Sequence, residues 1–117
     1  MVRQLRLSEK DITRQISDYL KHLKVFHWKQ YQVLGSTLGI PDIIGIMPDG
    51  SGRALMIEVK TERGIVSDHQ KRVLENSREL GAIAFVARSL EDVVEKLSFL
   101  PQQEHFIFQN FKVGGTD

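Results

Sequence analysis

Gly39-Ile40-Pro41-Asp42-Ile43-Ile44-Gly45-Ile46-Met47 and Leu55-Met56-Ile57-Glu58-Val59-Lys60 are two apolar runs separated by the turn residues Asp49-Gly50-Ser51-Gly52. Short runs rich in Ile and Val, bounded by Gly, Pro and Asp, read as strands. Pro41 suits the first position of such a strand, where its missing N–H costs no ladder bond. Ile43-Ile44-Gly45-Ile46 is apolar at every position, the pattern of a central strand covered on both faces, which puts Asp42 at its mouth. The competing reading is a turn-forming Asp after Pro. In the second strand Leu55, Ile57 and Val59 share one face, and Met56, Glu58 and Lys60 the other. Folded as an antiparallel hairpin, the two strands bring Asp42 back beside Glu58.

Two carboxylates and an ammonium then occupy one small volume. The carboxylates repel unless a cation lies between them, and Lys60 alone does not neutralise both. Hard oxygen ligands that leave room for water and phosphate suit Mg²⁺. A metal held there would polarise a phosphoryl oxygen and acidify a bound water, with Lys60 positioning that water, so the residues point to phosphodiester hydrolysis. Glu58 also has a blander reading. A charged residue between Ile57 and Val59 is costly unless paired or metal-bound, and a salt bridge to Lys60 or across the strands would satisfy it.

Upstream, Ser8 caps a helix of about sixteen residues whose first turn holds Glu9 and Asp11. Ile12, Ile16, Tyr19, Leu20 and Leu23 form its buried stripe. Glu9, on its residue type alone, complements the helix macrodipole. Val25 to Tyr31 is rich in aromatic and β-branched residues and reads as the first strand, with Trp28 expected in the core rather than as a platform for nucleic-acid bases. Gln32 to Leu38 is a polar loop, read either as a DNA contact or as a plain connection.

Downstream, Thr61 to Val66 is a loop, and Ser67-Asp68-His69-Gln70 is a Ser-x-x-Gln capping box opening a second helix. Val73, Leu74 and Leu80 are expected on its buried face, with Gly81 ending it. Ala82 to Ala87 reads as a strand parallel to the Glu58 strand through a right-handed crossover. Ser89 caps a third helix running toward Pro101. The tail from Gln102 carries Phe106, Ile107, Phe108, Phe111 and Val113, each forgoing roughly 1.5–3 kcal/mol if left wet, so it is expected to pack on the core or on a second subunit. The fold class is α/β: one domain over residues 1–117, with a mixed sheet of about four strands flanked by helices.

The Pro-Asp pattern at Pro41-Asp42, followed after about fifteen residues by Glu58-Val59-Lys60, resembles the PD-(D/E)xK nuclease superfamily. With Glu9 on an upstream helix, Gly39-Ile40-Pro41-Asp42, and Gln70 on the following helix, it is similar to the VRR-NUC branch over roughly residues 8 to 87. The resemblance implies a restriction-endonuclease-like core and a Mg²⁺- or Mn²⁺-dependent DNA endonuclease. It implies metal binding by Asp42, Glu58, the Val59 carbonyl and Glu9, and catalytic roles for Glu9, Asp42, Glu58, Lys60 and Gln70. Gln70 also has its capping role, and the two readings compete. Free-standing members of this type are similar to Holliday-junction resolvases, which implies a homodimer acting on branched DNA in replication, recombination or repair, in a bacterial cell or phage-infected host. The alternative is a catalytically silent DNA- or protein-binding module that keeps the nuclease fold. Such modules normally lose an acid or the Lys, and all are present here.

Composition bounds these readings. Of 117 residues, 41% are hydrophobic and 26% charged, ordinary globular values, and no apolar run approaches the ~18 residues of a membrane span. Cysteine is absent, which excludes disulfides and thiolate chemistry, and the N-terminal residues lack an apolar signal core, so a cytoplasmic setting is expected. No histidine pair has zinc-ligand spacing. The net charge of +1 argues against indiscriminate coating of DNA, although committed acids mask part of a positive footprint. Lys21, Lys24 and Lys29, and Arg63, Lys71 and Arg72, are candidate phosphate contacts or simply solvated faces. No small-molecule cofactor is expected.

Overall fold

The computed structural model describes residues 6–31 and 37–101. Along the chain it forms α1 (Glu9–His22), β1 (Phe26–Lys29), β2 (Ile43–Ile46), β3 (Ala54–Val59), α2 (Asp68–Glu79), β4 (Ile83–Ala87) and α3 (Leu90–Lys96). The four strands make one mixed sheet in the order β1-β2-β3-β4, antiparallel at its first two pairings and parallel at the third. The β2–β3 hairpin closes over a turn in which the Asp49 carboxylate accepts hydrogen bonds from the Ser51 amide and hydroxyl and from the Arg53 guanidinium. The crossover through α2 makes β4 parallel to β3, as the strand-helix-strand order predicts. Apolar residues of the tail from Gln102, and most of the loop from Gln32, lie outside the described residues.

Each helix begins with a serine whose side chain accepts an otherwise orphaned backbone N–H: Ser8 from Asp11, Ser67 from Gln70, and Ser89 from Asp92. Helix α2 ends in a Schellman turn. The Gly81 N–H bonds to Arg78 O and the Ala82 N–H to Ser77 O, while Gly81 takes a φ of 103° that a side chain would resist. The core lies on the α1 and α3 side of the sheet. Ile12, Ile16, Tyr19 and Leu20 of α1 and Val93 of α3 pack with Ile43, Leu55, Ile57, Val59 and Phe85.

The opposite face is only partly roofed, and here the structure corrects three expectations. Among the described residues, helix α2 packs on β4 and no helix covers the outer side of β1 and β2. Trp28 is therefore 43% exposed and not a core residue, Phe26 is 67% exposed, and Ile46 is 44% exposed. β2 is accordingly covered on one face, not two: Ile43 is buried, whereas Ile46 looks into solvent. Leu80 is 90% exposed, because it is the C-cap residue beyond the turns of α2 that lie over β4, and Leu74 is the buried residue of that helix. Among the described residues no helix is long and apolar enough to cross a membrane.

The burial contrast is measurable. Ile16→Ala, at a fully buried position, should lower unfolding free energy by about 2–5 kcal/mol. Leu80→Ala should change it by less than about 0.5 kcal/mol, both read from urea denaturation.

Candidate active site

Three residues fall in one row across the sheet. The registers pair Lys29 with Ile43 and Ile43 with Ile57, so one residue further on Gln30, Asp42 and Glu58 stand side by side, and the Gln30 N–H donates to Asp42 O at 2.7 Å. β2 has begun only at Ile43, and the Asp42 side chain takes the place of a strand acceptor. Its Oδ2 receives the Val59 N–H at 2.7 Å, which fixes the carboxylate against β3. The hairpin thus joins Asp42 and Glu58 as the period-two pattern predicts.

Glu58 is the centre of the cluster. Its side chain is 3% exposed, with Oε2 in contact with Lys60 Nζ at 3.3 Å and accepting from Gln70 Nε2 at 2.8 Å. Its Oε1 is buried with no hydrogen-bond partner among the described residues. Burial pushes the Glu58 carboxyl up to about 7, and the negative charge of Asp42 adds to the rise. The Lys60 ammonium opposes it through charge and hydrogen bonding, and Glu9 contributes a smaller repulsion. Glu9 itself, the first residue of α1, is exposed. The structure therefore brings Asp42, Glu58, Lys60 and Gln70 together, with Glu9 in electrostatic range.

The two competing roles of Gln70 turn out to be compatible, because the two ends of its amide face different partners. Oε1 receives the Ser67 N–H at 2.9 Å to complete the capping box, and Nε2 donates to Glu58. Gly39 explains why α2 can start so near the sheet. A Cβ there would lie 2.8 Å from the His69 carbonyl carbon and oxygen and 3.1 Å from the Gln70 nitrogen, and its φ is +82°. The backbone before Asp42 packs directly on the first turn of α2, with no room for a side chain.

Arg88 is a residue that sequence reasoning misses. Its guanidinium donates to the carbonyls of Thr61 at 2.7 Å, Gly64 at 2.8 Å and Glu62 at 3.2 Å, holding the loop that follows Lys60. Only the β3–β4 register, which pairs Val59 with Ala87 and places Arg88 across from Lys60, signals it. His27 is also accounted for: its Nε2 meets the Ser17 hydroxyl and its Nδ1 the Val25 carbonyl, both at 2.9 Å. The first basic group is split, since Lys29 lies at the carboxylate end of the sheet while Lys21 and Lys24 sit near the opposite end. Arg63, Lys71 and Arg72 are exposed on the loop and the first turns of α2 beside Gln70.

Residues 2–91 match the family model of the VRR-NUC domain. The chain belongs to the VRR-NUC domain family. A solved structure described as a VRR-NUC domain matches with a TM-score of 0.64 at 26% identity, over 79% of this chain and 97% of the other. A second, described as a VRR-NUC domain protein, has a TM-score of 0.66 over 84% of this chain and 93% of the other, and at 20% identity it speaks for the fold alone. No curated protein matches the sequence. The mixed sheet with its flanking helices is thus a nuclease-type α/β core.

Two measurements bear on this VRR-NUC site. Because the folded Glu58 carboxyl titrates above its ordinary value of 4.5, it binds protons that the unfolded chain releases. In metal-free buffer its stabilising contribution is complete below about pH 4.5 and is lost as pH rises through about 7. Glu58→Gln should flatten that segment of the stability profile, measured by thermal unfolding across pH. Gly39→Ala, which forces a Cβ into backbone at a positive φ, should lower stability by more than about 1 kcal/mol and weaken the protection of the first amides of α2 in hydrogen exchange.

Proposed function

We propose that the chain is a Mg²⁺- or Mn²⁺-dependent DNA endonuclease that cuts branched DNA as a homodimer. The observation that carries this reading is the buried Glu58 carboxylate. One oxygen is satisfied by Lys60 and Gln70, the other has no partner among the described residues, and Asp42 repels it from across the hairpin. An orphaned buried acceptor beside a second carboxylate fits a hard divalent cation, which relieves both problems. Mg²⁺ is commonly bound through one or two carboxylates together with waters and substrate phosphate, and Asp42 and Glu58 are two such carboxylates.

Asp42 and Glu58 would hold the ion, joined by the Val59 carbonyl and, directly or through water, by Glu9. Bound there, the ion supplies Lewis-acid stabilisation of phosphoryl charge and a more acidic water. Asp42 is kept in place by the Val59 N–H, and Glu58 by the Gln70 amide, so neither has to reorganise when substrate arrives. Lys60, its side chain 15% exposed at the cluster, orients the attacking water and steadies the charge that develops on phosphate. In-line attack breaks the bond from phosphorus to the 3′ oxygen. Homodimerisation would supply two such sites related by a two-fold axis, matching paired cuts at a two-fold junction.

The test uses a labelled four-way junction, a flap and a matched duplex, each with Mg²⁺, Mn²⁺ or chelator. Symmetric metal-dependent cuts on the junction, reduced at least about a hundredfold by Lys60→Ala and by Asp42→Ala, are the expected result. Cutting retained by Asp42→Ala would remove the site assignment. Junction binding without any cutting would leave the alternative of a silent binding module.

A further inference from the structure

The partly unroofed face of the sheet continues directly from the carboxylate row. Side chains of the same parity as Asp42 and Glu58 form two more rows: Trp28, Ile44 and Met56, then Phe26, Ile46 and Ala54. At ~3.3 Å per residue, the Trp28 row stands ~6.6 Å from the carboxylates. Stacked bases rise by ~3.4 Å, so this is a displacement of about two nucleotides from a phosphate held at Asp42 and Glu58.

We propose that Phe26 and Trp28, on the floor formed by Ile44 and Ile46, are a stacking platform for unpaired bases of a single-stranded DNA segment that runs into the carboxylate row. The placement of its phosphate rests on the nuclease reading above; the stacking does not. The chemistry of the face selects this occupant. Phe26 and Trp28 pair at 5.7 Å between centroids and 58° between planes. The Trp28 indole N–H donates to Gln30 Oε1 at 3.3 Å, which ties its polar edge toward Asp42 and steadies the ring. Aromatic faces of this kind bind bases without regard to sequence, while a paired duplex keeps its bases stacked on one another and out of reach. Lys29, in the same edge strand, has the opposite parity and lies with its Nζ 5.7 Å from the Tyr31 ring centroid, so the platform itself is aromatic and apolar.

A second copy of the chain fits the patch less well. Taking ~150–250 Å² for a buried aromatic side chain, the exposed parts of Phe26, Trp28 and Ile46 amount to about 300 Å². A stable interface covers about 800 Å² on each partner. Patches of a few hundred Å² are the size at which functional surfaces stand out on a monomer.

Trp28 is the chain's single tryptophan, so its fluorescence reports on the platform directly. The 117-residue chain would be titrated, in chelator to prevent cleavage, with a short oligothymidylate, an abasic strand of equal length and a blunt duplex. Quenching by the oligothymidylate, with much less from the other two, is expected. In anisotropy with a labelled strand, Phe26→Ala and Trp28→Ala should each weaken binding by about fivefold or more, and Trp28→Phe should restore most of it. Equal binding of abasic and normal strands, or wild-type binding by both alanine variants, would overturn the platform. Emission that changes with protein concentration alone would assign the face to a second copy instead. Wild-type cleavage, assayed in parallel with Mg²⁺, separates the two readings. Quenching retained without cleavage of any substrate by the wild type would sink the nuclease and keep the platform. Normal wild-type cleavage, with alanine variants that bind as the wild type does, would do the reverse.

Discussion

A carboxylate buried in the third strand of a four-stranded sheet is an expensive thing to keep, and much of the local architecture is legible as the means of keeping it. Glu58 cannot be left ionised in an apolar wall without partners. Lys60 follows it two residues later on the same face, and Gln70 reaches it from α2, yet one oxygen remains unsatisfied and Asp42 stands close enough to raise its proton affinity. A site built only for stability would carry an apolar residue in place of Glu58. Under the proposed nuclease reading, retaining the acid there is intelligible, because a bound cation would complete its solvation.

The supports around it are rigid for the same reason. Gly39 lets the backbone before Asp42 press against the first turn of α2, which locks the helix that carries Gln70 to the strand that carries Asp42. The capping box holds the Gln70 amide by one end and leaves the other for Glu58. Arg88 fastens the loop after Lys60 through three carbonyls, all met by its Nη1. Positions on three different elements are therefore fixed relative to one another by hydrogen bonds and close packing before any ligand is present, the condition under which dipoles act on a developing charge at little reorganisation cost.

How much of this is written locally in the chain varies by residue, for physical reasons. Asp42 beside Glu58 follows from strand period, turn chemistry and hairpin geometry, all of which act over less than twenty residues. Ser67 and Gln70 are legible because a capping box is a four-residue signal. What fails is coverage. Ile44, Ile46 and Trp28 look like core by hydropathy, but whether a strand face is roofed depends on where α2 lands, and α2 lands on β4. Arg88 is invisible for a similar reason: its partners lie 24 to 27 residues away, and only the parallel register brings them to it. Gln70 presented two roles that sequence could not rank, since nothing in a residue's identity says that its two amide ends will serve different neighbours.

The asymmetry between the faces bears on function as well as on prediction. One side of the sheet is closed by α1 and α3 and supplies most of the buried apolar contacts, so the other is free of that duty near β1. A short edge strand that exposes Phe26 and Trp28 is an invitation to association, which proteins usually blunt with charge or cover with a helix. β1 runs only four residues, and Lys29 sits at its end, so the backbone edge itself offers little to a pairing strand. What it offers is the face. Rings set in register with the carboxylates are not packed away by the described residues, and under the proposed nuclease reading they have the spacing and chemistry to meet bases near a phosphate held in the carboxylate row.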